Sequence, residues 1–161
     1  MPQRKSLILL KKAIKELSIN EVAPRLVRFF LPKYKLYTSV LKRSTYQLGN
    51  RETGFIHWHQ GHRLYSLLHE IGHAVYKHVR YSGELGDPDG TPLGVVLWQE
   101  AEAWLFAEWW SKIFDIHFDY TDAEQSFRGY FRKRRKGPGK GYRRRQILLI
   151  SWRYKDGKEE V

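Results

Sequence analysis

The stretch over residues 62–80 constrains the chain most, because two patterns overlap in it. Leu64, Leu68, Ile71, Val75 and Val79 recur at steps of four, three, four and four. That spacing predicts a helix with one apolar face. Tyr65, His69, Gly72, His73 and Tyr76 fall on a neighbouring face, and residues 69–73 read HEIGH. Two residues four apart on a helix share a side, so His69 and His73 can each turn a ring nitrogen towards one point. Zinc accepts such nitrogens at about 2.0–2.1 Å. Glu70, beside them, is placed to take a proton from an attacking water whose pKa the metal lowers. The plainer alternative is a helix with paired polar histidines on its surface.

The flanking sequence suits a small domain built round that helix. Residues 6–17 and 20–30 have helical spacing, the second interrupted or started at Pro24, and Pro32 marks a stop. Residues 34–40 are extended. Residues 44–48 and 54–59 are short runs rich in Thr, Tyr, Phe, Ile and Trp, and the intervening GNRET is a hairpin turn. Residues 82–94 carry every breaker signal of a loop. A second strong helix spans 95–114, and Thr121 with Glu124 fits a capping box for a third. Residues 146–154 are β-like. The expected class is α+β, with a small antiparallel sheet packed on the HEIGH helix and on the helix that follows.

A catalytic zinc needs a third protein ligand and an open fourth position. His78 is too close along the same helix and is expected to point elsewhere. His117 lies beyond the second helix, and Glu84 and Asp87 lie on the loop. The second helix offers Glu100, Glu102 and Glu108. Glu100 shares a face with Ala103, Trp104 and Ala107, small residues among them that allow a close approach. Glu102 lies about 200° round from Glu100, among Leu105, Phe106 and Trp109. Spacing alone does not choose between them. For the oxyanion of a hydrolysed peptide, His57, His59, His62, Tyr76 and His117 are the candidates. On a strand, His57 and His59 would point to one side, an arrangement more often solvent-facing than metal-binding.

HEIGH followed by Glu100-x-x-Ala103-x-x-Phe106-Ala107 resembles the gluzincin metallopeptidases, most closely the ImmA/IrrE type. The resemblance covers residues 44–110. It implies a zincin-like fold in which His69, His73 and Glu100 hold zinc and Glu70 serves as base and acid. It further implies that an edge strand of the small sheet lines the substrate cleft. Trp104 stands where that family carries Asn or Asp, a residue that orients a ligand histidine. The family's Met-Pro stretch is replaced by EWWSKIF.

Composition adds a second theme. The chain has no cysteine, which excludes disulfide scaffolds, thiolate zinc fingers and cysteine nucleophiles. Its formal net charge is +12, and residues 128–145 hold ten Lys or Arg without an acid. Arg128, Arg132, Lys133, Arg134, Arg135, Lys136, Lys140, Arg143, Arg144 and Arg145, interleaved with Tyr130, Phe131 and Tyr142, form an arm that would attract DNA or RNA through counterion release. The expected organisation is a metallopeptidase domain over 1–127, its metal core at 44–114, followed by the basic arm and a C-terminal strand over 128–161. No signal peptide or membrane span is legible, so the expectation is a soluble, cytoplasmic protein with no membrane partner. The leading function is a zinc-dependent endopeptidase acting on a protein or peptide and recruited to nucleic acid by the arm. The alternative is a nucleic-acid-binding protein on a catalytically weak or inactive metallopeptidase-like scaffold. A third possibility is an interaction protein without metal.

Overall fold

The computed structural model describes residues 4–39, 45–48, 54–59, 63–78 and 93–132. The chain is α+β and mostly helical. It divides into two compact units, one of Met1–Arg80 with Ala103–Phe118, the other of Tyr81–Glu102 with Asp119–Val161. The expected strand over 146–154 lies outside the described residues.

In the first unit, α1 (Arg4–Glu16) buries only Leu10 and Ala13 and touches α2 (Ile19–Phe30). The Ser18 hydroxyl accepts a hydrogen bond from the Glu21 N–H at 3.3 Å, so α2 begins at Ile19. It then runs unbroken through Pro24, where the sequence suggested an interruption. An interior proline costs about 3 kcal/mol. Val22, Ala23, Leu26 and Val27 are all buried on this helix. At roughly 1.5–3 kcal/mol for each large apolar side chain, that burial outweighs the proline.

Strands β1 (Lys35–Ser39), β2 (Thr45–Leu48) and β3 (Gly54–His59) form one sheet in the order β1-β3-β2. β2 pairs antiparallel with β3, Tyr46 opposite Ile56. β1 pairs parallel with β3, Tyr37 opposite His57. The sheet is therefore mixed, not antiparallel as expected. Alternation along a strand encodes which side chains face the core, not which way a neighbouring strand runs, so the direction of β1 was not in the pattern. Ile56 and Trp58 are fully buried on one side of β3, whereas His57 and His59 share the half-buried opposite side. Tyr37 stacks on His57 there at 5.4 Å.

α3 (Leu64–Val75) touches α2, β2 and β3. It stops well short of residue 80, and Val75 is exposed rather than part of the apolar face. The cause is a left-handed turn. Lys77 has φ 53°; its N–H donates to the Ala74 carbonyl and the His78 N–H donates to the His73 carbonyl. That pair of bonds is the Schellman cap, which ordinarily uses glycine at the left-handed residue.

α4 (Leu93–Phe114) is apolar nearly all round, the pattern of a helix buried on most sides. Its second half packs on α2 through Phe30, whose ring is 4.8 Å from Trp110 and 5.3 Å from Phe106. It packs on α3 at Gly72, where an added Cβ would meet the Ala103 carbonyl oxygen and the Phe106 side chain at 3.1 Å. In the second unit, α5 (Tyr120–Arg132) starts one residue before Thr121. Its N-terminal N–H of Asp122 donates to Asp119 Oδ1 at 3.0 Å, so Asp119 rather than Thr121 supplies the cap. No described helix is long and apolar enough to cross a membrane.

Candidate metal centre

The glycine in HEIGH lets the backbone of α3 approach α4 closely at Ala103 and Phe106. Ala103 and Ala107 are fully buried on α4, in keeping with a helix that needs small residues at the contact. Glu100 lies one turn before Ala103 and Trp104 on the same helix.

The structure brings His69, His73 and Glu100 together. Each offers a ligand atom, and these atoms lie within 4.8 Å of one another. Four ligands around zinc at about 2.1 Å stand roughly 3.4 Å apart when tetrahedral. All three residues are buried, Glu100 at 2 % exposure. A carboxylate so far from water is costly unless compensated, and a divalent cation held by two neutral imidazoles and this carboxylate is one compensation. No other group with this arrangement occurs among the described residues. The two imidazole nitrogens and one carboxylate suit zinc and other first-row ions.

The rings around the site form a continuous stack. Trp104 lies flat on His69, centroids 3.9 Å apart at 11°. His69 meets His73 edge-on at 4.6 Å, and His73 meets His78 edge-on at 5.0 Å. Tyr76 covers His78 at 5.7 Å and touches Phe106 at 5.9 Å. The series thus starts and ends on α4. Behind Trp104 stand Tyr65 and Phe118, at 6.4 and 6.1 Å.

Polar contacts fix the ring orientations further. The Nδ1 atoms of His73 and His78 are 2.9 Å apart, a buried hydrogen bond in which one donates and the other accepts. The Glu70 carboxylate oxygen Oε1 is 3.4 Å from His69 Nδ1, and Glu70 is itself buried. His73 thus meets His78 through Nδ1, and an ion bound by His73 beside that contact would be met by its Nε2.

Other sequence candidates fall elsewhere. Glu102 is half-buried and stands outside the cluster. Glu108 is buried with Lys112 Nζ 3.6 Å from its Oε1. His117 is exposed, and His57 and His59 belong to the sheet. His62, Glu84 and Asp87 lie outside the described residues, as do Lys133, Arg134, Arg135, Lys136, Lys140, Arg143, Arg144 and Arg145 of the basic arm. Arg132 ends α5, and Arg128 is bonded to Glu124 through Nη2 at 2.6 Å. His78, expected to point away, instead turns back on His73. No glycine or proline at residues 76–77 announces the reversal.

Comparison with family models, with curated proteins and with solved structures finds no match to this chain.

Proposed function

We propose that the protein is a zinc-dependent endopeptidase of gluzincin type, with zinc held by His69, His73 and Glu100. The observation that carries this reading is the gathering of those three buried ligand atoms within 4.8 Å, with a carboxylate, Glu70, next to the first histidine on the same helix. Bound zinc supplies Lewis acidity, polarising a substrate carbonyl and making water nucleophilic at neutral pH. The Glu70 carboxylate takes the proton of the attacking water and delivers it to the leaving amine. It does so from a largely buried position, where a carboxylate has few competing waters and keeps a fixed direction. Trp104 and the α2–α4 aromatic cluster keep the ligand helices from shifting. β2 is an outer strand of the sheet and touches α3, so an extended peptide added to its edge would run beside the ligand helix. Main-chain hydrogen bonds would then give affinity with little sequence preference.

The test is metal content by elemental analysis of untagged protein, beside hydrolysis of an unstructured protein substrate. Wild type is expected to carry about one zinc per chain. Glu100→Ala loses it, whereas Glu102→Ala retains it. Glu70→Gln keeps zinc and fold and loses turnover by about 10²–10⁴-fold, the range for removal of a general base. Full turnover in Glu70→Gln would refute the assignment of Glu70, and absence of zinc from wild type incubated with the metal would refute the centre itself.

A further inference from the structure

We infer that His78 is a positioning residue for the metal centre: its Nδ1 accepts the Nδ1–H of His73 and so presents Nε2 of His73 to the ion. The inference rests on the metal centre proposed above and adds a residue to it.

The argument begins with the tautomer. A neutral imidazole carries one N–H. A histidine that binds metal through Nε2 must carry its hydrogen on Nδ1, and a buried N–H needs an acceptor. His73 is 4 % exposed, His78 is 6 % exposed, and their Nδ1 atoms are 2.9 Å apart. If His78 were the donor, the hydrogen of His73 would sit on Nε2 and block the ligand atom. The metal-competent arrangement therefore has His73 donating and His78 accepting, with the hydrogen of His78 on its Nε2. Ligand histidines usually give this hydrogen to a carboxylate or a backbone carbonyl. Here a neutral ring does the work, adding no negative charge to a site that already holds Glu100.

The backbone is built to place that ring. His78 is the residue after the left-handed Lys77, and its N–H closes the cap on the carbonyl of His73 itself. In this cap the side chains of those two positions ordinarily meet in an apolar contact. Here the same meeting is a hydrogen bond between imidazoles. Tyr76, stacked on His78 at an interplanar angle of 22° and against Phe106, keeps the ring from turning away.

The experiment uses the full chain, with zinc affinity measured by competition against a chromophoric chelator at one pH. The variants are His78→Phe, which keeps a ring without the acceptor, and His78→Gln, whose side-chain carbonyl accepts. Loss of such a partner weakens metal binding by about 10–100-fold, so that fall is expected in His78→Phe, with most of it recovered in His78→Gln. Cobalt(II) in place of zinc should give a visible spectrum altered in His78→Phe and near wild type in His78→Gln. Zinc affinity of His78→Phe equal to wild type, or equally weak in both variants, overturns the positioning role. A wild type that binds no zinc removes the centre as well, which is a different result. Should the variants fail to fold, ¹⁵N spectra of the zinc-loaded wild type decide. A protonated Nδ1 and metal-bound Nε2 on His73 support the inference, and the reverse assignment overturns it.

Discussion

Trp104 lies flat on His69, ring centroids 3.9 Å apart. A hydrogen-bonding partner directs a ligand ring through one atom, whereas a stacked indole restrains the whole plane of the ring. Aromatic stacking of this kind is worth about 0.5–1.5 kcal/mol beyond the area it buries, and Trp104 is also 2 % exposed. Trp104→Ala should therefore lose about 3–5 kcal/mol of stability in the metal-free protein and weaken zinc on the order of tenfold. Trp104→Phe keeps a flat face on His69 and should hold zinc close to wild type while losing less stability. Denaturant unfolding in the presence of a chelator measures the first effect, and chelator competition measures the second. If Trp104→Ala binds zinc as tightly as wild type, the stack is packing alone. At this scale the sequence was informative where chemistry depends on spacing within a helix: the placement of His69, Glu70 and His73 follows from HEIGH. The choice of Glu100 over Glu102 was open on spacing alone, because both sit on a helix that is apolar all round. The contact of His78 with His73 was illegible, since it depends on a turn that no residue at 76 or 77 signals.

The helix ends show where local sequence underdetermines local structure. Both α3 and α4 close with the same cap and neither uses glycine. Lys77 takes φ 53° after α3, and Asp115 takes φ 57° after α4, where the Ile116 N–H donates to the Ser111 carbonyl at 2.8 Å. Aspartate tolerates this conformation better than most residues, but lysine has no such advantage. A non-glycine residue there costs about 1–2 kcal/mol, offset partly by the smaller entropy of its unfolded chain. Lys77 is exposed, so replacing it removes no packing. Lys77→Gly should raise stability by about 0.5–1 kcal/mol, the difference between those terms, visible as a higher urea midpoint at unchanged slope. A lower midpoint would contradict the left-handed turn on which the placement of His78 depends. Periodicity carried the apolar face on past Val75 because it records which residues are apolar and not where the backbone reverses. The existence of each described helix was legible for the same reason, and the ends of α3 and α5 and the direction of β1 were not.

At the level of the whole chain, the proposed metal centre predicts a stability effect that needs no knowledge of substrate. His69 and His73 sit on α3 and Glu100 on α4, and the three side chains are grouped in the folded chain. An unfolded chain presents the histidines still four apart, but without the carboxylate and without a fixed direction for either ring. Zinc held as proposed would therefore bind the folded state in preference, and binding would add RT ln(1 + [Zn]/Kd) to stability, about 4 kcal/mol at a thousandfold excess over Kd. For a chain of 161 residues, a gain of that size corresponds to a rise in Tm of roughly 8–16 °C. Thermal unfolding of protein stripped by chelator and then titrated with zinc should show this rise, saturating near one equivalent in binding but continuing to climb with free zinc in Tm. Glu100→Ala should lose most of the rise, because only the two histidines, which the unfolded chain also offers four apart, then remain to bind the ion. A Tm that is independent of zinc in the wild type would mean that the buried cluster is held together by the protein alone. Destabilisation by zinc would mean that the ion prefers the histidines of the open chain, and that α3 and α4 are not spaced to receive it.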